Sequence, residues 1–239
     1  AVGREAGERT IRRMGAVVPE TMTAPVVFSP LMAGRVVGAI VGALDGYALV
    51  NGASFLKGKK GERVGSERLS IVDDGTVLRG LGSRPFDGEG LPAQPTTLIG
   101  DGVLHSYLLD SYTARKLGEV STHNASRSLQ GAPVVGTTNV VVRPGEFSQS
   151  EILESVSSGV FITELFGFGV NATTGDYSQG AAGFRIRNGK LEEAIHEFTI
   201  AGNLMEMMGG IEMMGNDPFL ESSVRCPTIK IGSMTVAGQ

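Results

Sequence analysis

Residues 160–198 read VFITELFGFGVNATTGDYSQGAAGFRIRNGKLEEAIHEF. Val160–Leu165 is a short apolar run between Gly159 and Gly167, which reads as a strand. Asn188-Gly189 separates Phe184–Arg187 from Leu191–Glu197 and is a two-residue hairpin signal. The glycine-dense Gly167–Gly183 segment offers no helical period. Its glycines suit backbone packed closely on backbone, or an extended peptide admitted to a sheet edge. The second half of the chain is therefore built on antiparallel sheet.

The same signals extend outward. Val140–Val142 is a strand before Pro144-Gly145, and Ser148 with Glu151 forms a capping box opening a helix to Ser157. Asn203–Met208 reads as a short helix, and Thr228–Ile231 and Met234–Val236 as two strands. Upstream, Arg4–Met14 is helical, and Pro25 introduces a strand at Val26–Phe28. Ser29 and Pro30 are a favoured cap and first-turn pair. Met32, Val36, Ile40 and Leu44 then repeat every four residues until Asp45-Gly46 ends the helix. Strands are expected at Leu69–Val72 and Thr76–Leu78, around Asp73-Asp74-Gly75. Arg84–Gly90 is turn chemistry. Thr96–Ile99 and Val103–Leu108 form a hairpin across Gly100-Asp101-Gly102. Ser111–Leu117 is a helix closed by Gly118, and Ser121–Ser128 is a polar loop. The sum is an α+β chain: one β-rich domain of mostly antiparallel sheet with a few short packed helices.

Composition narrows the function. The chain has 239 residues, with 35 Gly, 3 His and 1 Cys. Glycine stands at roughly 15%, about twice the usual share. One Cys excludes an internal disulfide and any multi-Cys metal site. The net charge of −4 lacks the basic face that phosphate-driven nucleic-acid binding needs. Lys57, Lys59, Lys60 and Arg63 read as a solvated loop. Val36–Leu44 is too short for a membrane span, which needs about 20 residues. In that setting Gly34, Gly38 and Gly42 suggest close helix packing within a soluble, cytoplasmic protein. The charged opening residues are not expected to be a signal peptide.

The candidate chemistry is thin. His196-Glu197 lacks the second histidine of a zincin helix, since Ile200 and Ala201 follow, and it alternates like a strand. His105 reads as a sheet-face residue. His123, beside Thr122 and Asn124, is the histidine best placed to meet a ligand, with a plain surface loop as the alternative. Asp87 and Glu89 could form a carboxylate pair or serve as turn residues. Cys226 has no histidine near it in sequence and reads as a buried structural thiol. Gly167–Gly180 lacks the lysine of a phosphate loop. Met205, Met207, Met208, Met213 and Met214 suit core or interface, or a deformable peptide-binding wall.

The run Thr174-Gly-Asp-Tyr-Ser-Gln-Gly-Ala-Ala-Gly-Phe184, with Thr199–Leu204 and Gly215–Asp217, resembles the TldD/PmbA family, also called modulator of DNA gyrase. Pro85–Gly90, Tyr112–Gly118 and Val236–Gln239 agree, and the form of the long motif is similar to the PmbA (TldE) branch. The resemblance implies a C-terminal domain at 25–239. Residues 1–24 would be a helical tail or linker from a missing N-terminal domain. Its TldD branch consists of zinc metalloproteases with an H-E-x-x-x-H helix and a Cys ligand near the C-terminus. Aligned here, the ligand positions are Gly38 and Ala43 and the catalytic Glu position is Ala39. None can bind zinc or move a proton. Cys226 falls downstream of the family's zinc Cys, so that role is not carried over.

The resemblance therefore implies a non-catalytic subunit of a TldD-type metalloprotease, with no cofactor of its own and zinc only in the partner. It would act as a homo- or hetero-oligomer, wall a proteolytic chamber and help hold unfolded peptide. Expected peptide-facing residues are His123, Asn124, Asp176, Tyr177 and Ser178. Two other readings stay open: a stand-alone binding or regulatory module, and a hydrolase with an unrecognised site. Neither direct nucleic-acid binding nor membrane insertion is expected.

Overall fold

A computed structural model describes residues 2–239. Helix α1 (Val2–Ile11) leads to β1 (Met22–Phe28), α2 (Pro30–Gly42) and α3 (Gly46–Val50). An irregular stretch reaches β2 (Ile71–Asp74), β3 (Pro95–Gly100) and β4 (Val103–Leu104). Next come α4 (Ser111–Leu117), β5 (Ala125–Ser126), β6 (Val134–Val135) and β7 (Val140–Val142). The second half contains α5 (Gln149–Glu154), β8 (Ser158–Phe166), β9 (Asp176–Arg187) and β10 (Lys190–Asn203). It ends with α6 (Leu204–Gly209), β11 (Ile211–Met214), β12 (Val224–Arg225) and β13 (Ile229–Ala237).

The larger sheet runs β1-β8-β9-β10-β13-β11, and β1 also pairs with β13. Strands β1, β8, β9, β10 and β13 thus close on themselves as a small barrel, with β11 added to β13. Only the β1–β8 contact is parallel. The second sheet runs β12-β7-β2-β3-β4, and β5–β6 is a separate ribbon. This is the α+β, β-rich fold expected.

Alternation in β1 explains how the layers join. Val26 and Phe28 enter the main core, which also takes Val36, Val37, Ile40 and Val41 of α2 and Ile71, Leu98 and Ile99 of the second sheet. Val27, pointing the other way, joins a smaller cluster with Ile152, Phe161 and Ile186. Each such side chain contributes about 1.5–3 kcal/mol on full burial.

Several local expectations change. Thr76–Leu78 is not a strand: the Asp74 carboxylate accepts from the Thr76 amide at 2.7 Å and from its hydroxyl at 2.6 Å, which closes a turn. The hairpin after β3 turns at Asp101 (φ 46°) and Gly102 (φ 78°), but β4 is only two residues long. The His105 and Ser106 amides both approach the Leu98 carbonyl, which ends the ladder there. β1 begins before Pro25, whose missing N–H is absorbed by a register shift between Ala24 and Val26. The two expected C-terminal strands are one, β13. Ser148 and Glu151 do form the capping box, though α5 stops at Glu154. Ser29 is the N-cap of α2 but makes no side-chain capping bond. α2 stops at Gly42 with Ala43 as its C-cap, short of Asp45-Gly46, and Asp45 instead caps α3, a helix the periodicity does not reveal. The Gly34–Gly42 stripe is not a uniform packing seam. Gly34 lies against Val224 and Cys226, whereas a Cβ at Gly38 or Gly42 would meet nothing within 4 Å.

Candidate functional site

Helix α2 is the element on which the family resemblance places its chemistry. Its apolar side, from Met32 to Val41, is buried in the main core. Leu31, Arg35, Gly38 and Gly42 lie on the outer side, with Ala39 half-buried beside them. One border of this open face is β8, whose Leu165 carbonyl accepts from the Arg35 guanidinium. The other is β12, near Gly34. Arg35 is the one titratable side chain on α2. An arginine has five N–H donors, and one of them holds the backbone here.

The residues on this face do not fit zinc. Gly38 and Ala39 carry no donor atom, Ala43 is fully buried at the helix C-cap, and the neighbouring charge is the Arg35 cation. Cys226 is fully buried; burial, with the Asp217 charge behind it, pushes its thiol up, away from the thiolate a metal needs. Among the described residues no three His, Cys, Asp or Glu side chains converge as a metal site.

The expected peptide-facing residues fall into two groups. Asp176 and Ser178 are exposed at the start of β9, but Tyr177 between them is 2% exposed and points into the core. Burial pushes its phenol up, and the nearby Arg35 charge opposes that. Tyr177 is thus corrected from a surface contact to a core residue, as strand alternation requires. The Asp176 carboxylate accepts from the Thr174 hydroxyl at 2.6 Å, ordering the turn into β9.

His123 and Asn124 lie instead in the loop entering β5 of the separate β5–β6 ribbon. His123 (φ 61°) is half-buried, and its Nδ1 lies 2.7 Å from the Pro92 carbonyl, so Nε2 is the nitrogen left for solvent. Asn124 is 1% exposed and donates to Asp73 at 2.6 Å, which corrects it too from a contact to a buried strut.

Asp73 is the group that the sequence does not single out. Its carboxylate also accepts from the Thr138 amide at 2.7 Å and hydroxyl at 2.9 Å. Burial raises its pKa above the ordinary carboxylate value, opposed by these hydrogen bonds and by Arg84. It ties together Asn124 and Thr138, the two roots of the β5–β6 ribbon. The remaining candidates are structural. Asp87 is buried and accepts from the Glu89, Leu91 and Ala125 amides, while Glu89 accepts from Ser111. They do not form a carboxylate pair. Lys59, Lys60 and Arg63 pair with Glu62, Glu119 and Glu67. His105 is exposed just after β4, and His196 lies in β10, as a strand reading of His196-Glu197 requires. Met207, Met208 and Met214 are core. No helix is long and apolar enough to cross a membrane.

The glycine-rich segment does bring backbone onto backbone. A Cβ at Gly183 would lie 1.9 Å from the Phe161 carbonyl oxygen, and one at Gly169 would fall 1.5 Å from that of Ser178.

The barrel and the second sheet thus share one core, with α2 between β8 and β12. The model of the PmbA/TldA metallopeptidase C-terminal domain matches residues 21–238. The chain belongs to the PmbA/TldD family. It is 37% identical over 238 residues to the metalloprotease PmbA of Escherichia coli O157:H7, covering 100% of this chain and 51% of that protein. It is 33% identical over 218 residues to a metalloprotease of Methanothermobacter thermautotrophicus, covering 90% and 48%. A crystal structure from Bacteroides thetaiotaomicron, described as a modulator of DNA gyrase, superposes with TM-score 0.90 at 31% identity, covering 99% of this chain and 52% of that one. TldE from Thermococcus kodakarensis gives 0.89 at 25% identity, covering 98% and 55%. The chain spans about half the length of the curated relatives it matches.

Proposed function

We propose that this chain is the C-terminal part of a non-catalytic, PmbA/TldE-like subunit of a TldD-type zinc metalloprotease. It completes the assembly, walls the proteolytic chamber and helps hold unfolded peptide. The observation that carries this reading is α2 itself: Gly38, Ala39 and Ala43 offer neither a metal donor nor a base where the family's catalytic branch has both. The likeness to TldE supports the assignment to that branch. A face bearing one cation and two bare glycines suits passage of an extended chain more than bond cleavage. Of the expected peptide contacts, His123, Asp176 and Ser178 retain exposed polar atoms. Residues 1–24 are then the segment leading in from an N-terminal domain, and the assembly works in the cytoplasm.

The test is metal analysis and a peptidase assay, each with and without a TldD-type subunit. Substoichiometric zinc and no cleavage alone are expected, with cleavage on adding the partner. Stoichiometric zinc in the isolated chain, or cleavage without a partner, would overturn the proposal. Purification from cells without any TldD-like chain would favour the stand-alone regulatory module instead. A metal-independent hydrolysis abolished by His123→Ala would favour the unrecognised hydrolase.

A further inference from the structure

Only two of the chain's asparagines are followed by glycine, Asn51 and Asn188. An asparagine side chain is most readily lost at such a pair, because glycine leaves the next backbone nitrogen uncrowded. The fold sets the two pairs apart.

Asn51 ends α3 with φ −79° and ψ −1°, and Gly52 behind it is left-handed at φ 69°. The Gly52 amide donates to the Leu49 carbonyl at 3.2 Å, and the Ala53 amide to that of Ala48 at 2.8 Å. Both acceptors belong to the five-residue helix that this turn closes. Asn51 and Gly52 are exposed. The end of so short a helix opens without disturbing the rest of the fold.

Asn188, at φ 47°, is exposed too, but its turn is held from outside. The Asn188 amide donates to the Ser157 carbonyl at 2.7 Å, and the Gly189 amide to the Val156 carbonyl at 2.9 Å. Gly189 also packs closely behind α5: a Cβ there would lie 2.8 Å from the Glu154 Cα. Turning the Asn188–Gly189 peptide therefore means pulling the β9–β10 hairpin away from the end of α5 and the start of β8.

We infer that Asn51 is a site of spontaneous deamidation in the native protein and that Asn188 is shielded from it. The Gly52 nitrogen gives its proton to a base in solvent and attacks Asn51 Cγ. The Cγ–Nδ2 bond breaks and ammonia leaves, closing a succinimide ring. Water then opens the ring at either carbonyl, leaving aspartate or isoaspartate. Lys57 stands beside this step. It makes no ion pair among the described residues, and its Nζ lies 3.9 Å from where a Cβ on Gly52 would be. Its cation favours the negative charge that gathers on the attacking nitrogen and on the oxygen at Cγ. An isoaspartate at this exposed turn is a substrate for a protein isoaspartyl carboxyl methyltransferase. The open face of α2 takes no part, so this inference stands apart from the proposed function.

Incubating the 239-residue chain in mildly alkaline buffer for weeks, with peptide mass mapping, tests it. Asparagine conversion changes the peptide mass, whereas Asp-Gly pairs that close the same ring lose water and regain it. In the native chain Asn51 should convert at least about tenfold faster than Asn188, and in concentrated urea the two rates should converge. The converted Asn51 peptide should accept methyl groups from an isoaspartyl methyltransferase supplied with labelled S-adenosylmethionine. Lys57→Gln should slow the native rate at Asn51 at least about twofold and leave the rate in urea unchanged. Equal native rates, a faster Asn188, or an Asn51 that stays intact while the chain in urea converts each overturns the inference. An unchanged native rate in Lys57→Gln overturns the role given to that cation. Any of these results leaves the zinc and peptidase tests of the proposed function untouched.

Discussion

Gly38→Ala should stabilise this protein, and Gly183→Ala should all but unfold it. Gly38 lies in the interior of the 13-residue helix α2. There glycine costs about 0.5–1 kcal/mol relative to alanine, through the freedom it gives the unfolded chain. The added methyl meets nothing within 4 Å. The gain should therefore arrive nearly whole. For a chain of this length the unfolding entropy is on the order of 0.5 kcal/mol per kelvin, so the melting temperature should rise by about 1–2 °C. Gly183 is the opposite case. Its Cβ would sit 1.9 Å from the Phe161 carbonyl oxygen, in the ladder joining β8 to β9. Relief requires two barrel strands to part by more than about 1 Å, which places the cost in the rare class above about 4 kcal/mol. Urea unfolding followed by circular dichroism measures both, with equal slopes showing that stability alone has changed. A lowered midpoint for Gly38→Ala would mean that something covers the outer face of α2. A silent Gly183→Ala would mean that β8 and β9 are not in the register described.

Asp73→Ala should destabilise by about 3 kcal/mol, because it strands the Thr138 amide and the Asn124 side chain, both bonded to a charged acceptor. Asp73→Asn should cost less than Asp73→Ala, because its carbonyl oxygen can still accept from the Thr138 amide, but not nothing, because its new N–H faces the Asn124 amide that also donates to the Gly136 carbonyl. The pair also has a pH signature. The folded state raises the Asp73 pKa, so it holds the proton more tightly than the unfolded chain does. That contribution is whole below about pH 4 and is lost as pH rises through the raised value. The stability of wild type relative to Asp73→Asn, read from urea melts, should fall from pH 4 towards neutrality; a rising difference would contradict the burial argument. The Cys226 thiol should resist thiol reagents until the protein unfolds, since it is buried and its pKa is raised; rapid labelling of the native protein would refute this. Asp87→Ala should cost about 2–3 kcal/mol and speed hydrogen exchange at the Ala125 amide, which donates to it.

What could be read from the sequence was local. The Ser148–Glu151 box, the Asn188-Gly189 turn (φ 47° and 78°) and the Ser111–Leu117 helix with Gly118 left-handed behind it are each fixed by a few neighbouring residues. Barrel closure was not legible, because β1 meets β13 across some two hundred residues and no short pattern records that pairing. The strand expected at Thr76 failed on a single hydrogen-bonding carboxylate. Tyr177 failed for a different reason: a planar, polar-tipped ring in a motif invites a binding role, while period-two alternation with exposed Asp176 and Ser178 already turned it inward. Arg35 reads in sequence only as a break in an apolar run. Its bond to Leu165 needs β8 to be brought alongside α2, which only the tertiary fold does.

The double pairing of β1 bears on synthesis as well as stability. Met22–Phe28 leave the ribosome some two hundred residues ahead of their partner, Ile229 to Val236. Until then β1 has one neighbour at most and shows an unsatisfied strand edge, which is a template for wrong pairing. Folding that waits on so distant a contact is expected to be slow, and the barrel should snap shut late and cooperatively. A nascent chain stalled before β13 would thus present an open sheet, and cellular holdases would be its first partners.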